Sequence, residues 1–230
     1  RFLFVRFRAT PDANTSIAID AARCGETVFN NVVTDSKVLV TKFGKEWKID
    51  LDYLLEGAIL EEIESKSSYP ILSEESVSQQ RFDCPYWIVD PLDGSANCLR
   101  GIPMFAISIA LWNEDRPVLG VILDLIRSEL FYGSDKCGAW CNDSQIYVAE
   151  ENLRENAILN TGFPSALNID SRYLAKIAPV YRAFGKVRMF GSAALSLAFV
   201  ACGKSDSYFE EDIAIWDVAA GLALVRAAGG

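Results

Sequence analysis

Four short, strongly apolar segments between residues 70 and 123 constrain the fold of this chain more than any other feature. They cover residues 70–72, 87–89, 105–112 and 118–123. Runs of this length and composition predict strands that are buried on both faces. Acidic residues follow closely, with Glu74 behind the first segment and Asp90 behind the second, and residues 113–117 read as a hairpin turn. We therefore expect a sheet whose strand ends collect acidic side chains.

Apolar residues at helical spacing predict helices on either side of these strands. The first covers residues 17–33, with Thr15 and Ser16 as candidate caps, and the second covers residues 52–66. The later elements are a strand pair at 129–132 and 145–148 joined by the loop 133–142, helices at 171–184, 192–202 and 218–228, and a strand at 207–209. We expect layers of helices and sheets in which two halves, divided near residue 145, share one cleft.

The complete absence of histidine narrows the chemistry. It excludes Ser-His-Asp and Cys-His nucleophilic catalysis, phosphohistidine chemistry and His-ligated metal sites. The excess of 31 acidic over 22 basic residues gives a net charge of -9, which repels phosphate backbones, so we expect no nucleic-acid partner. No stretch approaches the roughly 18 apolar residues of a membrane-spanning helix. We expect no membrane partner and a soluble, cytoplasmic protein.

The sharpest local signal is the run WIVDPLDGSAN at residues 87–97. A strand delivers Asp90 at its end, Pro91 fixes a turn, and Asp93 follows, so both carboxylates can face one point. Oxygen ligands on a tight turn, with the Leu92 carbonyl between them, suit magnesium. Gly94 permits close backbone approach, so its amide and that of Ser95 could hold a phosphate oxygen. Taken alone, such a run is equally consistent with a surface turn.

Two further acidic elements accompany this run. Glu74 and Glu75 follow an apolar segment, where adjacent like charges are costly unless cations or water stabilise them. Asp217 lies in the run IWDVAAG at the expected start of a helix. An exposed acidic loop explains the first element equally well, and ordinary helix capping explains the second.

Together, and in this order, the three elements resemble the inositol monophosphatase superfamily, a group of magnesium phosphatases that are lithium-sensitive or lithium-related. The shared motifs are the Glu-Glu pair, the Trp-x-x-Asp-Pro-x-Asp-Gly-[Ser/Thr]-x-Asn run and the Trp-Asp-x-Ala-Ala-Gly run. The resemblance covers about residues 18–230. It implies an α+β fold, the layered αβαβα sandwich of the inositol monophosphatase/fructose-1,6-bisphosphatase type, as one phosphatase unit with halves at about 1–145 and 146–230. It also implies a homodimer.

Carried over by position, the resemblance implies two or three Mg²⁺ ions. Glu74 and Asp90, with the Leu92 carbonyl, would bind one ion, and Asp90, Asp93 and Asp217 a second. Glu74 and the Ser95 hydroxyl would orient and deprotonate the attacking water. The remaining implied positions are Asp52 as a catalytic residue and, for substrate binding, Gly94, Ser95, Gly191, Ser192, Ala193 and Glu210.

The chain departs from the family pattern in two places. Family members carry Val-Thr-x-x-Asp before the second helix, and in residues 48–52 only Asp52 matches that motif. A third metal site therefore stays open. The chain stops at Gly230, where relatives continue with further strands and helices, so either the end is missing or the fold is trimmed.

The expected substrate is a small phosphorylated polyol or sugar, with inositol monophosphate first. The same chemistry on fructose 1,6-bisphosphate, histidinol phosphate or 3'-phosphoadenosine 5'-phosphate is the alternative. The net negative charge and the lack of a basic cluster near the motifs argue against a bisphosphate nucleotide. A remoter alternative is a non-catalytic regulatory binding protein with the same fold.

Other phosphatase classes fit the sequence poorly. Residues 50–53 resemble the Asp-x-Asp signature of haloacid-dehalogenase phosphatases, but that nucleophile must end a buried strand, and polar residues precede it here. No Cys has Arg six positions later, which excludes a cysteine phosphatase, and no P-loop pattern is present.

Overall fold

A computed structural model describes residues 10–34, 45–75, 82–150, 154–163 and 169–230 of the chain. Its helices are α1 (Ala13–Thr34), α2 (Lys45–Lys66), α3 (Ser95–Arg100), α4 (Ser171–Arg182), α5 (Ala193–Ala201) and α6 (Ile215–Ala227), with a 3₁₀ turn at Arg154–Asn156. Its strands are β1 (Ile71–Ser73), β2 (Tyr86–Asp93), β3 (Ala106–Asn113), β4 (Arg116–Asp124), β5 (Glu129–Ser134), β6 (Gly138–Cys141), β7 (Ser144–Ile146), β8 (Ile158–Thr161), β9 (Lys186–Arg188) and β10 (Ser207–Phe209). Among these residues, no helix combines the length and hydropathy needed to cross a bilayer.

The strands form two sheets. The larger follows the order β1-β2-β3-β4-β5-β6-β7, with β1 and β2 parallel and every later neighbour antiparallel. The smaller is a parallel sheet in the order β10-β8-β9. The predicted hairpin between β3 and β4 is confirmed.

Helices cover both faces of the larger sheet. Alternate residues of β2 illustrate the pattern, because Trp87 and Val89 pack in a core with α1 and α2, whereas Ile88 packs with α5 and α6. Helix α5 in turn contacts the smaller sheet through β8 and β10. Tyr181 of α4 approaches that sheet by a hydrogen bond with Thr161. The sequence of layers is helix, sheet, helix, sheet, helix, so the predicted α+β sandwich is confirmed.

The cap of the first helix and the order of the later strands differ from the sequence predictions. The first helix begins at Ala13 and is capped by Asp12, whose carboxylate accepts hydrogen bonds from the Thr15 amide and hydroxyl at 2.9 and 3.0 Å. Thr15 is thus the donor to the cap. The expected direct pairing of β5 with the strand near residue 145 is wrong, because β6 lies between them in the region predicted as a loop. Residues 50–53 lie inside α2, which removes the strand end that the Asp-x-Asp alternative requires.

Helix α6 packs unusually close to the larger sheet. A Cβ on Gly120 of β4 would lie 2.8 Å from the Ala220 carbonyl carbon, so any side chain there would push the helix away. On the other side of α6, a Cβ on Gly221 would lie 2.9 Å from Cγ of Leu197 in α5. These contacts fix the helix that carries Asp217. Helix α6 belongs to the predicted second half but packs on the larger sheet, which the first half forms. The division of the chain into halves near residue 145 therefore stays a prediction.

Candidate metal centre and cavity

One cavity of about 600 Å³ brings together nearly all the site residues predicted from the sequence. It opens where the end of β2 meets the N-termini of α5 and α6. Eleven predicted positions line it: Glu74, Asp90, Leu92, Asp93, Gly94, Ser95, Gly191, Ser192, Ala193, Glu210 and Asp217. Every charged side chain among its described lining residues is acidic.

A β-bulge turns Asp90 and Asp93 toward the same side of the sheet. In a regular strand, residues three apart point to opposite faces. Here Asp90 pairs with Ser108 and Asp93 with Ala106, so three steps on β2 oppose two on β3. Such an extra residue reorients a side chain at the point where pairing ends.

Glu74, Asp90 and Asp217 form the closest group of acidic side chains. Each contributes one carboxylate oxygen, and these oxygens all lie within 4.8 Å of one another. Parallel pairing of β1 with β2 brings Glu74 beside Asp90, and its amide donates to the Val89 carbonyl at 3.1 Å. Asp217 comes from the first turn of α6.

The surroundings of Asp90 are unfavourable to its negative charge. Its Oδ1 accepts a hydrogen bond from the Leu92 amide at 3.0 Å, but its buried Oδ2 has no hydrogen-bond partner among the described residues. Burial, followed by the charges of neighbouring carboxylates, raises the pKa of Asp90 well above its usual value. Burial and the charge of Glu74 also raise the pKa of Asp217 to about 6.

Asp93 is surrounded by donors. Its carboxylate accepts hydrogen bonds from the Ser192 hydroxyl and, at 2.8 Å, from the Ala194 amide. These groups belong to the N-terminus of α5, where a negative charge is favourable. Burial still raises the pKa of Asp93 to about 7, although both donors act in the opposite direction. Its role as a ligand of a second ion stays a prediction.

The donor set of the cluster fits a hard divalent cation. It consists of carboxylate oxygens, which magnesium prefers, and it includes a buried oxygen that no N–H or O–H of the described chain satisfies. A cation would also neutralise the mutual repulsion of these carboxylates. Glu74, Asp90 and Asp217 are therefore the residues best placed to hold a metal.

Two glycine turns meet on another side of the cavity. Gly94 has a left-handed φ of 83°, and a Cβ there would lie 2.7 Å from the Met104 carbonyl oxygen. Asn97 donates from Nδ2 to the carbonyls of Met104 and Phe190, each at 2.8 Å, and so connects this turn to the one containing Gly191. The amides of Gly94 and Ser95 lie in the first of these turns, and their binding of phosphate stays a prediction.

A sequence profile of the inositol monophosphatase family matches residues 11–230. The chain belongs to this family. Its relatives include a Nus factor SuhB of Xylella fastidiosa, 39% identical over 94% of this chain and 79% of the relative. An inositol-1-monophosphatase of Rhizobium meliloti is 38% identical over 78% of this chain and 68% of its own length.

Solved structures of the inositol monophosphatase family share the fold. The inositol monophosphatase of Anabaena (Nostoc) sp. PCC 7120 superimposes with a TM-score of 0.81 at 34% identity, covering 94% of this chain and 81% of that one. The extragenic suppressor protein suhB of Bartonella henselae gives a TM-score of 0.78 at 34% identity, covering 95% and 85%. The resemblance read from the three motifs is confirmed.

One predicted site residue of this family member lies away from the cavity lining. Asp52 is buried in α2, and its charge acts on Cys98 of α3, whose pKa is raised to about 11 by burial first and by Asp52 second. Its catalytic role stays a prediction. Sequence reasoning also missed Asn97, which it counted only as the last letter of a motif, and the pair Gly162 and Tyr208 beside Glu210.

Proposed function

We propose that the chain is a magnesium-dependent phosphomonoester hydrolase that releases phosphate from a small polyol or sugar phosphate, with inositol monophosphate as the first candidate. The observation that carries this proposal is the convergence of Glu74, Asp90 and Asp217 within 4.8 Å beside the Gly94 turn. That arrangement joins a cation site to backbone amides suited to phosphate oxygens.

In this proposal, Glu74, Asp90 and the Leu92 carbonyl would hold one ion, and Asp90, Asp93 and Asp217 would hold another. When bound, magnesium supplies positive charge to the phosphoryl and leaving oxygens and makes bound water more acidic. The Glu74 carboxylate accepts a proton from the attacking water, and the Ser95 hydroxyl orients that water. The Gly94 and Ser95 amides donate hydrogen bonds to phosphate oxygens.

Charge separates the candidate substrates. All charged side chains among the described lining residues are acidic, which disfavours a second phosphate group at the far end of the substrate. Glu210 is suited instead to accept a hydrogen bond from a hydroxyl. We therefore rank a neutral polyol monophosphate, and histidinol phosphate with its cationic amine, above fructose 1,6-bisphosphate and 3'-phosphoadenosine 5'-phosphate. Homodimerisation, lithium sensitivity and a cytoplasmic location stay predictions.

A second candidate is a regulatory binding role. It is favoured by the relatives called Nus factor SuhB, which match 94% of this chain at up to 39% identity. A role of that kind requires partners among proteins or nucleic acids, and only a nucleic-acid partner is in contrast to the expectation from net charge. It does not require phosphate release.

Phosphate release separates the two candidates. Purified protein with MgCl₂ is expected to release phosphate from inositol 1-phosphate faster than from the bisphosphates, and EDTA is expected to abolish the reaction. No release from any of these esters, in protein shown by calorimetry to bind magnesium, rejects the hydrolase and leaves the binding role.

A further inference from the structure

The Glu210 carboxylate lies directly against the backbone of Gly162. Strands β10 and β8 run parallel with Phe209 opposite Thr161, so the next residues of the two strands, Glu210 and Gly162, are also neighbours. A Cβ on Gly162 would lie 2.8 Å from Cδ of Glu210 and overlap its Oε2. No side chain larger than hydrogen fits here without moving the carboxylate.

Tyr208 holds one oxygen of the same carboxylate. Its hydroxyl donates to Oε2 of Glu210 at 2.6 Å, a short hydrogen bond of the kind that a charged acceptor produces. The two residues are separated by one position on the strand, so their side chains leave the same face. Burial, and then the bond to Glu210, raises the pKa of Tyr208, which keeps the phenol protonated as a donor.

Hydrogen bonds also hold the backbone of Phe209, which lies between Tyr208 and Glu210. The Thr161 hydroxyl donates to the Phe209 carbonyl at 2.6 Å and exchanges a second hydrogen bond with the Tyr181 hydroxyl at 3.1 Å. Phe209 is therefore held to β8, and the backbone of Glu210, which follows it, cannot shift away from Gly162. Its position relative to β8 is set by the sheet, and its side-chain rotamer by Tyr208 and Gly162.

The other carboxylate oxygen remains available to a ligand. Oε1 of Glu210 makes no hydrogen bond within the described part of the chain, and Glu210 lines the cavity that also holds the carboxylate cluster. No described basic side chain faces it in that lining. An ionised carboxylate in this state binds hydroxyl donors and repels anions.

The geometry points to Tyr208 and Gly162 as positioning residues that make the cavity selective for hydroxylated phosphate esters, by fixing Glu210 with one oxygen toward the substrate. This inference rests on the proposed hydrolase function and adds to it the determinants of the substrate class. Tyr208 and Gly162 act through Glu210, and only Glu210 contacts a substrate hydroxyl.

The test compares two esters that differ in hydroxyl groups, inositol 1-phosphate and p-nitrophenyl phosphate, with magnesium present. Tyr208→Phe removes only the phenolic oxygen, and Gly162→Ala adds only the methyl group that displaces the carboxylate. Each variant is expected to lower kcat/KM for inositol 1-phosphate about tenfold, mainly through KM, because one hydrogen bond to a charged group is lost or misplaced. The rate with p-nitrophenyl phosphate is expected to change less than about threefold, because this ester has no hydroxyl group that could bond to Glu210.

Tyr147→Phe is the matched control, because it removes a phenolic oxygen from a side chain that is 62% exposed and does not line the cavity. It should leave the ratio of the two substrates unchanged. The variants are also combined with Glu210→Gln. If Tyr208 acts through Glu210, adding Tyr208→Phe to Glu210→Gln lowers kcat/KM by less than about twofold further.

The outcomes are separable. Two results would overturn the role of Tyr208 and Gly162 while leaving the hydrolase intact. One is that Tyr208→Phe and Gly162→Ala lower kcat/KM equally for both esters, so that their ratio is unchanged. The other is that the losses from Tyr208→Phe and Glu210→Gln multiply in the double variant. A wild-type protein that releases phosphate from neither ester overturns the hydrolase proposal, and the selectivity inference with it.

Discussion

Asp90 and Asp93 lie on the same strand and face the same cavity, yet their surroundings are opposite. Asp90 meets other carboxylates and has a buried oxygen without a partner among the described residues. Asp93 meets a hydroxyl and the amides at the N-terminus of α5. The comparison shows that two buried carboxylates of one strand differ in how far the protein itself satisfies their charge. The carboxylates around Asp90 repel one another unless a cation neutralises them, whereas the chain itself supplies donors to Asp93.

The largest effect that tests this contrast is on activity. Asp90→Asn removes a charged ligand and is expected to lower magnesium-dependent phosphate release at least about 100-fold, equivalent to about 3 kcal/mol of transition-state stabilisation. Initial rates with inositol 1-phosphate measure it. Asp135→Asn is the control, because that carboxylate pairs with Arg116 at the surface and should retain activity. Activity within tenfold of wild type for Asp90→Asn contradicts the assignment.

The side of the cavity near Asp93 depends on Asn97, whose hydrogen bonds connect the Gly94 turn to the Gly191 turn. Asn97→Ala removes hydrogen bonds to the Met104 and Phe190 carbonyls and is expected to lower the free energy of unfolding by about 2 kcal/mol. Urea unfolding measures this change. The exposed Asn156, replaced by Ala, is the control and should change stability by less than about 0.5 kcal/mol. Equal effects of the two variants contradict the bridge.

The raised pKa values predict how pH affects the metal-free protein. Burial raises the pKa of Asp93 to about 7 and of Asp217 to about 6, so the folded state binds protons that the unfolded state has released. The stability that these two protonated carboxyl groups contribute is fully present below about pH 4 and is lost as the pH rises through about 6 and 7. In EDTA, the free energy of unfolding is expected to be lower at pH 8 than at pH 5 by more than about 1 kcal/mol.

Magnesium and a second variant sharpen that measurement. Saturating magnesium should reduce the loss of stability between pH 5 and pH 8, and Asp217→Asn should reduce it in the metal-free protein. Stability that increases over this range in EDTA refutes the assigned direction of the pKa shifts.

The smallest effect compares the same substitution at both positions in metal-free protein at pH 8. Asp93→Asn also removes a charge that burial disfavours, but it places an amide N–H group among the donors at the N-terminus of α5, so its free energy of unfolding is expected to be about 1 kcal/mol lower than that of Asp90→Asn. Asp90→Asn removes a repelled charge and retains the acceptor for the Leu92 amide, so it should not destabilise the protein. Equal free energies of unfolding for the two variants contradict the contrast between the surroundings of Asp90 and Asp93.

Much of this architecture was predictable because the apolar periodicity is strong. The continuous apolar runs of β2, β3 and β4 face helices on both sides, and the helix that carries Asp217 stands where the Ala-rich run indicated it. The short strand β6 was missed because Gly138 and Cys141 carry little strand preference and turn residues lie on either side.

The site was less predictable where it depends on contacts between distant segments. The motif named Asp90 and Asp93, but only the β-bulge against β3 determines that both face the cavity. Gly162 and Glu210 become neighbours through the parallel pairing of β8 with β10, which local sequence does not encode. Likewise, Tyr208 lies in the predicted strand at 207–209, but the sequence does not indicate that its hydroxyl bonds to Glu210.

Glu74, Asp90 and Asp217 are proposed as ligands of divalent cations, and the hydrolase function depends on that role. A crystal structure of the protein grown with MnCl₂, with data collected for manganese anomalous scattering, tests it most directly. We predict anomalous peaks such that a carboxylate oxygen of each of the three residues lies at coordination distance, about 2.1–2.3 Å, from a manganese ion. Anomalous density elsewhere, with none at these three carboxylates, contradicts the account.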